Sequence, residues 1–325
     1  MSLMAGQTPV PMTLITGFLG SGKTTLVNHL LAETAEQRDI AVIVNDFGKV
    51  SVDSGLIRHR DENMLTLSNG CVCCSLAGDL AAGLIKLLTR GSFSHCIMES
   101  SGVTRVTPLR CILDEPELRK LVRLESVVVM VDPVRYPRLS QIVMTLEEQV
   151  QHADVLVINR CDLATPDQLQ ETENLLGKSN AGARMIRTEF GRANSDELRG
   201  GSTKKPSATH VTNLPGDKWS AYRLYFNRPF ARDELRDLLG SIPGRVMRVK
   251  GWLKDPSGEV VHVEQVHDEI SVESWKEPLN RQPCDCLIMI IPTTDADEFE
   301  RDLTSHPEII WELDHSHTHH IPDPD

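Results

Sequence analysis

The run Gly17-Phe18-Leu19-Gly20-Ser21-Gly22-Lys23-Thr24 constrains this chain more than any other feature. An apolar stretch, Val10 to Ile15, leads into it, and a helix-favouring stretch, Thr25 to Leu31, leads out. Glycines at this spacing let successive backbone N–H groups turn inward around a polyphosphate. A helix starting there aims its positive end at the same charge, and Lys23 adds a mobile ammonium. The Thr24 hydroxyl is then available to a Mg²⁺ ion. A chance glycine-rich turn would need neither the strand before nor the helix after, so the spacing predicts a strand, a phosphate-binding loop and a helix.

Strand-like apolar runs recur at Val10–Ile15, Ile40–Val44, Met64–Leu67, Cys96–Glu99, Val127–Val131 and Val155–Ile158, most of them separated by segments of helical periodicity. Alternating strands and helices predict an α/β domain. Near-continuous Val, Ile and Leu within the strands predicts a mostly parallel sheet flanked by helices on both faces. Such sheets bind ligands at the carboxyl ends of their strands. From Phe190 to His210 the chain turns polar and glycine-rich, the composition of a linker. Beyond it, strands are expected at Tyr222–Phe226, Val246–Leu253, Val260–Val266 and Cys286–Ile291, with helices at Arg232–Leu239 and Asp295–Leu303, an order that suggests a smaller α+β domain. The expected division is 1–205, 206–310, and a mobile tail, 311–325, containing His315, His317, His319 and His320.

The 325 residues carry a formal net charge of −12, which argues against broad electrostatic binding to nucleic acid or to anionic lipid. No apolar run approaches a membrane span, and the N-terminal apolar stretch runs straight into the phosphate loop instead of a cleavage site, so a cytoplasmic protein is expected. Eight cysteines in that compartment read as reduced core residues or metal ligands and not as a disulfide framework. Cys96, Cys111 and Cys161 fall in apolar or mixed segments and are expected to be small buried hydrophobes.

Four further motifs carry chemistry. In Ile97-Met98-Glu99-Ser100-Ser101-Gly102 a strand ends on a carboxylate with a glycine three positions on. In a nucleoside triphosphatase the glycine N–H can sense the γ-phosphate while the acid orients Mg²⁺ water or the attacking water. Asn159-Arg160-Cys161-Asp162 follows the strand Val155–Ile158 and resembles a guanine-reading Asn-Lys-x-Asp element. Asp162 would accept from the two ring-edge donors that guanine has and adenine lacks, and mispairing a buried acceptor costs about 1–3 kcal/mol. Arg160 stands where Lys is usual, and its planar guanidinium could stack on the base. Cys71-Val72-Cys73-Cys74 places three thiols within four positions, ahead of an expected helix at Leu76–Leu88. Three thiolates fill part of a tetrahedral shell, which suits an exchangeable soft cation. Asp46, in Asn45-Asp46-Phe47-Gly48, could supply a Mg²⁺ outer-shell group or a further metal ligand, with Asp53 a weaker candidate. Asp132, followed by Pro133, reads more simply as a strand-ending turn. Cys284-Asp285-Cys286 reads as structural, and the tail histidines as a solvated segment with some affinity for borderline cations.

In this order and spacing, the phosphate loop, Asn-Asp-Phe-Gly, Cys-x-Cys-Cys, Glu-Ser-x-Gly and Asn-Arg-Cys-Asp resemble the CobW-type branch of the CobW/HypB/UreG metal-handling GTPases, near its YjiA-like members. The segments Lys250-Gly251-Trp252 and Val260–Val266 are similar to the C-terminal domain of that branch. The resemblance implies a GTP hydrolase of low turnover that binds Zn²⁺, Co²⁺ or Ni²⁺ and delivers it to a client metalloprotein or a cofactor-synthesis enzyme. It implies that Gly17, Gly20, Ser21, Gly22, Lys23, Thr24 and Thr25 hold phosphates and Mg²⁺, and that Glu99 and Gly102 read the γ-phosphate. Asn159 and Asp162 would read guanine, and Cys71, Cys73 and Cys74 would hold the transition metal. Family members commonly carry Glu where Asp46 and Lys49 stand here, and Lys where Arg160 stands. A homo-oligomer is compatible with this reading. Two rival classes use the same residues differently. A small-molecule kinase or ATPase would need no thiols, and a metal-storage or redox-sensing protein would keep only a residual nucleotide site.

Overall fold

The computed structural model describes residues 8–33, 39–45, 64–67, 75–199, 219–242, 246–266, 269–275 and 286–313. These form two compact units, the first up to residue 199 and the second from residue 219.

The first unit is built on seven strands: β1 (Val10–Gly17), β2 (Ile40–Asn45), β3 (Met64–Leu67), β4 (His95–Glu99), β5 (Val122–Val131), β6 (Val155–Ile158) and β7 (Arg184–Arg187). They lie in the order β3-β2-β4-β1-β5-β6-β7, and every neighbouring pair is parallel. The helices are α1 (Lys23–Glu33), α2 (Ser75–Leu88), α3 (Val106–Leu113), α4 (Tyr136–Leu139), α5 (Met144–Gln151), α6 (Pro166–Ser179) and α7 (Ser195–Leu198). Residues of both parities are buried along the central strands. Ile15, Ile97, Val128 and Val157 pack with Leu26, Val27 and Leu30 of α1, while Leu14, Met98, Val129 and Leu156 are equally buried on the opposite face. That double burial is what the unbroken aliphatic runs predict.

The sheet order reverses at β1: the chain moves to β2 on one side of it and, from β4, crosses it to β5 on the other. Ile15 lies opposite Glu99 on β4, and Gly17 opposite Met130 on β5. The crevice beyond the carboxyl end of β1 is therefore the switch point where α/β sheets take ligands. β7, which the hydrophobic pattern does not predict, is a short edge strand, Arg-Met-Ile-Arg, exposed at both ends.

The second unit is a six-stranded antiparallel sheet in the order β11-β10-β9-β12-β8-β13, where β8 is Trp219–Phe226, β9 Arg248–Lys254, β10 Val260–Val266, β11 Glu269–Ser274, β12 Cys286–Pro292 and β13 Ile309–Leu313. α8 (Arg232–Ser241) and α9 (Ala296–Thr304) set Leu235, Leu239, Phe299 and Leu303 against Tyr222, Leu224, Val249, Val263 and Met289 of the sheet. Among the described residues no helix is long and apolar enough to cross a membrane.

Candidate functional site

The loop after β1 takes its shape from glycine. Gly17, Gly20 and Gly22 have φ of 128°, 76° and 100°, a region that residues with a Cβ avoid. A Cβ on Gly17 would lie 2.3 Å from the Met130 carbonyl oxygen, and one on Gly22 2.4 Å from Nδ2 of Asn159. Ser21 Oγ donates to the Phe18 carbonyl at 2.8 Å, and the Leu26 amide donates to the Gly22 carbonyl at 3.0 Å, so the loop passes directly into α1. Lys23, buried at the first position of that helix, donates from Nζ to the Gly17 and Phe18 carbonyls at 2.8 and 3.0 Å. Its ammonium lies across the mouth of its own loop. Thr24 is half-buried and Thr25 is exposed on α1.

Residues of two further sequence motifs meet this loop. Thr24 Oγ1 donates to Glu99 Oε1 at 2.8 Å, and Glu99 is 2% exposed. Gly102 packs on the loop from above: a Cβ there would lie 2.7 Å from the Leu19 amide nitrogen. Asn159, 2% exposed, donates from Nδ2 to the Ser21 carbonyl at 2.9 Å, while its Oδ1 accepts from Thr188 Oγ1 at 3.1 Å and the Gly191 amide at 2.9 Å. The resemblance gave Asn159 a share in reading guanine; the structure places its side chain beneath the phosphate loop, tying that loop to residues 188–191. Asp162 stands on an exposed turn three residues further on.

Arg160 adopts a left-handed conformation with φ 65° and donates from Nη1 to Asp132 Oδ2 at 3.0 Å. Asp132 also accepts from the Val134 amide at 3.0 Å through Oδ1, so it is the strand-ending turn expected of it and in addition an anchor for Arg160.

Gln149 and Glu148, on α5, and His152, which caps its end, carry no motif because they belong to an ordinary helical pattern. Gln149 is fully buried and donates from Nε2 to the Gly102 carbonyl at 3.3 Å and the Thr104 carbonyl at 2.9 Å. The Glu148 carboxylate accepts from the amides of Val106 and Thr107 at 2.9 and 2.8 Å, capping α3 from a neighbouring helix. Thr107 Oγ1 donates to Glu148 at 2.6 Å and lies 3.0 Å from His152 Nε2. The Gly102–Thr107 segment is thus held by α5 and the residue that caps it.

The cysteine expectations divide. Cys96 is buried, and desolvation pushes its thiol up to about 12. Cys111 is exposed and Cys161 half-buried, contrary to expectation, because α3 turns Cys111 outward and Cys161 begins a surface turn. Burial raises the Cys161 thiol as well, so it is no poised thiolate. Cys71, Cys73, Cys74, Asp46, Asp53 and Cys284 lie outside the described residues, as do the tail histidines. Among the described residues there is no group of three or more His, Cys, Asp or Glu side chains able to hold a metal ion.

A glycine-shaped loop at the switch point of a parallel sheet, with a buried Lys at the following helix start and a Thr–Glu pair beside it, defines a P-loop nucleotide-binding domain. The family model described as CobW/HypB/UreG, nucleotide-binding domain matches residues 11–187, and the one described as Cobalamin synthesis protein cobW C-terminal domain matches residues 219–306. The chain belongs to the CobW/HypB/UreG family. It is 27% identical over 311 residues to the zinc chaperone YeiR of Escherichia coli (strain K12), a match covering 87% of this chain and 93% of that protein. It is 34% identical over 189 residues to the zinc chaperone YjiA of the same organism, covering 56% and 58%. A third relative is the zinc-regulated GTPase metalloprotein activator 1 of Dictyostelium discoideum, 27% identical over 304 residues and covering 76% of this chain. The chain spans 63% of the length of that relative.

Proposed function

We propose that this chain binds and hydrolyses GTP with Mg²⁺, holds a Zn²⁺-type ion, with Co²⁺ and Ni²⁺ as related cargo, and passes it to a client metalloprotein or a cofactor-synthesis enzyme in the cytoplasm. The convergence of Thr24 and Glu99 on the phosphate loop carries the nucleotide half of this reading. A hydroxyl beside a carboxylate is an all-oxygen donor pair of the kind Mg²⁺ takes, so Thr24 and Glu99 are the residues that would hold it. When bound, that ion neutralises charge developing on the phosphate oxygens. Lys23 supplies a second positive charge to the same oxygens, Gly102 offers its backbone N–H to the γ-phosphate, and Asp162 selects guanine over adenine. Asn159 keeps the loop and residues 188–191 in register beside Asp162 and shares in reading the base.

The metal half rests on family membership, on the zinc-chaperone names of the relatives and on three thiols in four positions, Cys71, Cys73 and Cys74, with Asp46 as a candidate further ligand. These lie in sequence between the phosphate loop and Glu99, so nucleotide state and metal affinity are expected to be linked. Linkage is reciprocal: if GTP raises affinity for Zn²⁺ by some factor, Zn²⁺ raises affinity for GTP by the same factor. The test is calorimetric titration of Zn²⁺, Co²⁺ and Ni²⁺ into the reduced full chain, with and without a non-hydrolysable GTP analogue, repeated on Cys73→Ala. The expected result is one thiol-dependent site whose affinity shifts with nucleotide. Tight Zn²⁺ binding unaffected by Cys73→Ala would remove the assigned site, and equal affinities with and without the analogue would remove the coupling.

A further inference from the structure

Phe190 is placed in a way that packing does not explain. The residue is 61% exposed, its ring meets only the Arg192 guanidinium, 5.7 Å from the ring centroid, among the ring contacts of the described residues, and its backbone holds φ 55°, a left-handed conformation disfavoured for an aromatic residue. The chain on both sides of it is nevertheless fixed. The Thr188 amide donates to the Ile158 carbonyl at 2.8 Å, and the Thr188 carbonyl accepts from the Cys161 amide at 3.2 Å. Gly191 donates to Asn159 and sits so tightly on the start of α1 that a Cβ would lie 2.9 Å from the Leu26 amide nitrogen. Residues 188–191 therefore form a wall between the first turn of α1 and the Asn159–Asp162 turn, with Glu189 and Phe190 exposed on it and Phe190 its one aromatic side chain. A nucleotide with its phosphates on Gly17–Thr24 and its base at Asp162, as proposed above, would span the two elements that this wall joins.

We propose that Phe190 is a nucleobase-stacking residue whose ring forms one side of the base site. It supplies affinity for a purine face, while Asp162 supplies the choice of purine. The assignment rests on the nucleotide site described under the proposed function. Stacking on an aromatic ring is indifferent to base identity. Loss of the ring should therefore weaken GTP, GDP and ATP by a common factor, about tenfold, and leave the GTP-to-ATP ratio unchanged. The loss should not depend on the γ-phosphate.

The experiment uses the full chain with two substitutions. Phe190→Gly removes the ring and relieves the left-handed backbone, so the unfolding midpoint of the nucleotide-free protein should not fall. Competition against a fluorescent GDP should show the uniform loss. Phe190→Trp places an indole in the first unit, whereas all four native tryptophans lie at residue 219 or beyond. Its emission, taken as the difference from wild type, should be quenched on saturation with GDP. Wild-type affinity in Phe190→Gly, a loss confined to GTP, or emission of the Phe190→Trp indole unchanged at saturating GDP would each overturn the proposal. Wild-type protein that binds no nucleotide would overturn the site itself, and the ring assignment with it.

Discussion

The two ends of the nucleotide crevice are built on opposite plans. At the phosphate end every left-handed residue is a glycine, Gly17, Gly20 and Gly22, and the side chains proposed to act there, Lys23 and Glu99, are buried. At the proposed base end are the two left-handed residues with side chains among those described, Arg160 and Phe190, and an exposed Asp162. The phosphate end is specified by backbone shape, which only glycine permits at three positions, and it is braced by Glu148 and Gln149 of α5. The base end presents side chains on strained turns, braced by Asn159 and Asp132. Such turns hold a residue in a costly conformation only where the surrounding structure over-determines it, a pattern common at ligand sites.

Lys23→Ala should give the largest effect, because it removes a preorganised charge from the point where the phosphates gain charge. GTP turnover measured by phosphate release should fall about 10²- to 10³-fold; a rate within twofold of wild type would break the phosphate end of the comparison. Asp162→Ala attacks the other end. The preference for GTP over ATP in competition binding should fall by roughly 10²-fold. Because Asp162 is exposed, urea unfolding should be unchanged. A loss of stability with selectivity kept would mean that the carboxylate braces its turn and does not face the base. Gly102→Ala comes next. Its new Cβ, 2.7 Å from the Leu19 amide nitrogen, forces a shift between two backbones. That should cost about 1–3 kcal/mol in urea unfolding and lower GTP affinity while sparing GDP. Equal losses for GTP and GDP would show that the contact serves the loop as a whole and not the γ-phosphate.

The phosphate end was legible in sequence because backbone shape leaves a glycine spacing, and so were the six aliphatic strands of the first unit through β6. β7 was not, because an Arg-Met-Ile-Arg edge strand has neither alternation nor an apolar run. β11 and β13 escaped for a different reason: Glu269–Ser274 alternates and Ile309–Leu313 opens on an apolar run, but both are short and partly exposed. At the proposed base end the motif pointed to Asn159 and Asp162, but spacing cannot say which way an amide points. The hydrogen bonds of Asn159 to Ser21, Thr188 and Gly191 join segments 29 to 138 residues apart, and only the fold brings them together. Phe190 was invisible for a related reason, since an aromatic before a glycine carries no pattern until its exposure and its φ are known. Gln149 and Glu148 face the Gly102 loop from within a helix whose periodicity reads as ordinary packing.

The smallest expected effect separates the two braces by pH. His152 is held below its ordinary 6.5, first by desolvation, with Arg110 and Arg105 adding to the shift and Glu148 opposing it. A histidine whose folded-state pKa is depressed takes up its proton more readily when unfolded, so the native state is favoured above pH 6.5 and loses stability as the pH falls through that value. Protonation would place a desolvated cation near Arg110 and Arg105, with only partial relief from Glu148, at the Thr107 contact that holds the start of α3. Acidification from pH 7.5 to 5.5 should therefore raise amide exchange, corrected for its intrinsic pH dependence, in residues 102–107 before it does so in 159–162, where the tie runs through the uncharged Asn159. His152→Gln, which keeps a hydrogen-bonding group without the titration, should flatten that difference. If the two segments loosen together in wild type, the braces are not independent, and the crevice opens as one unit instead of two.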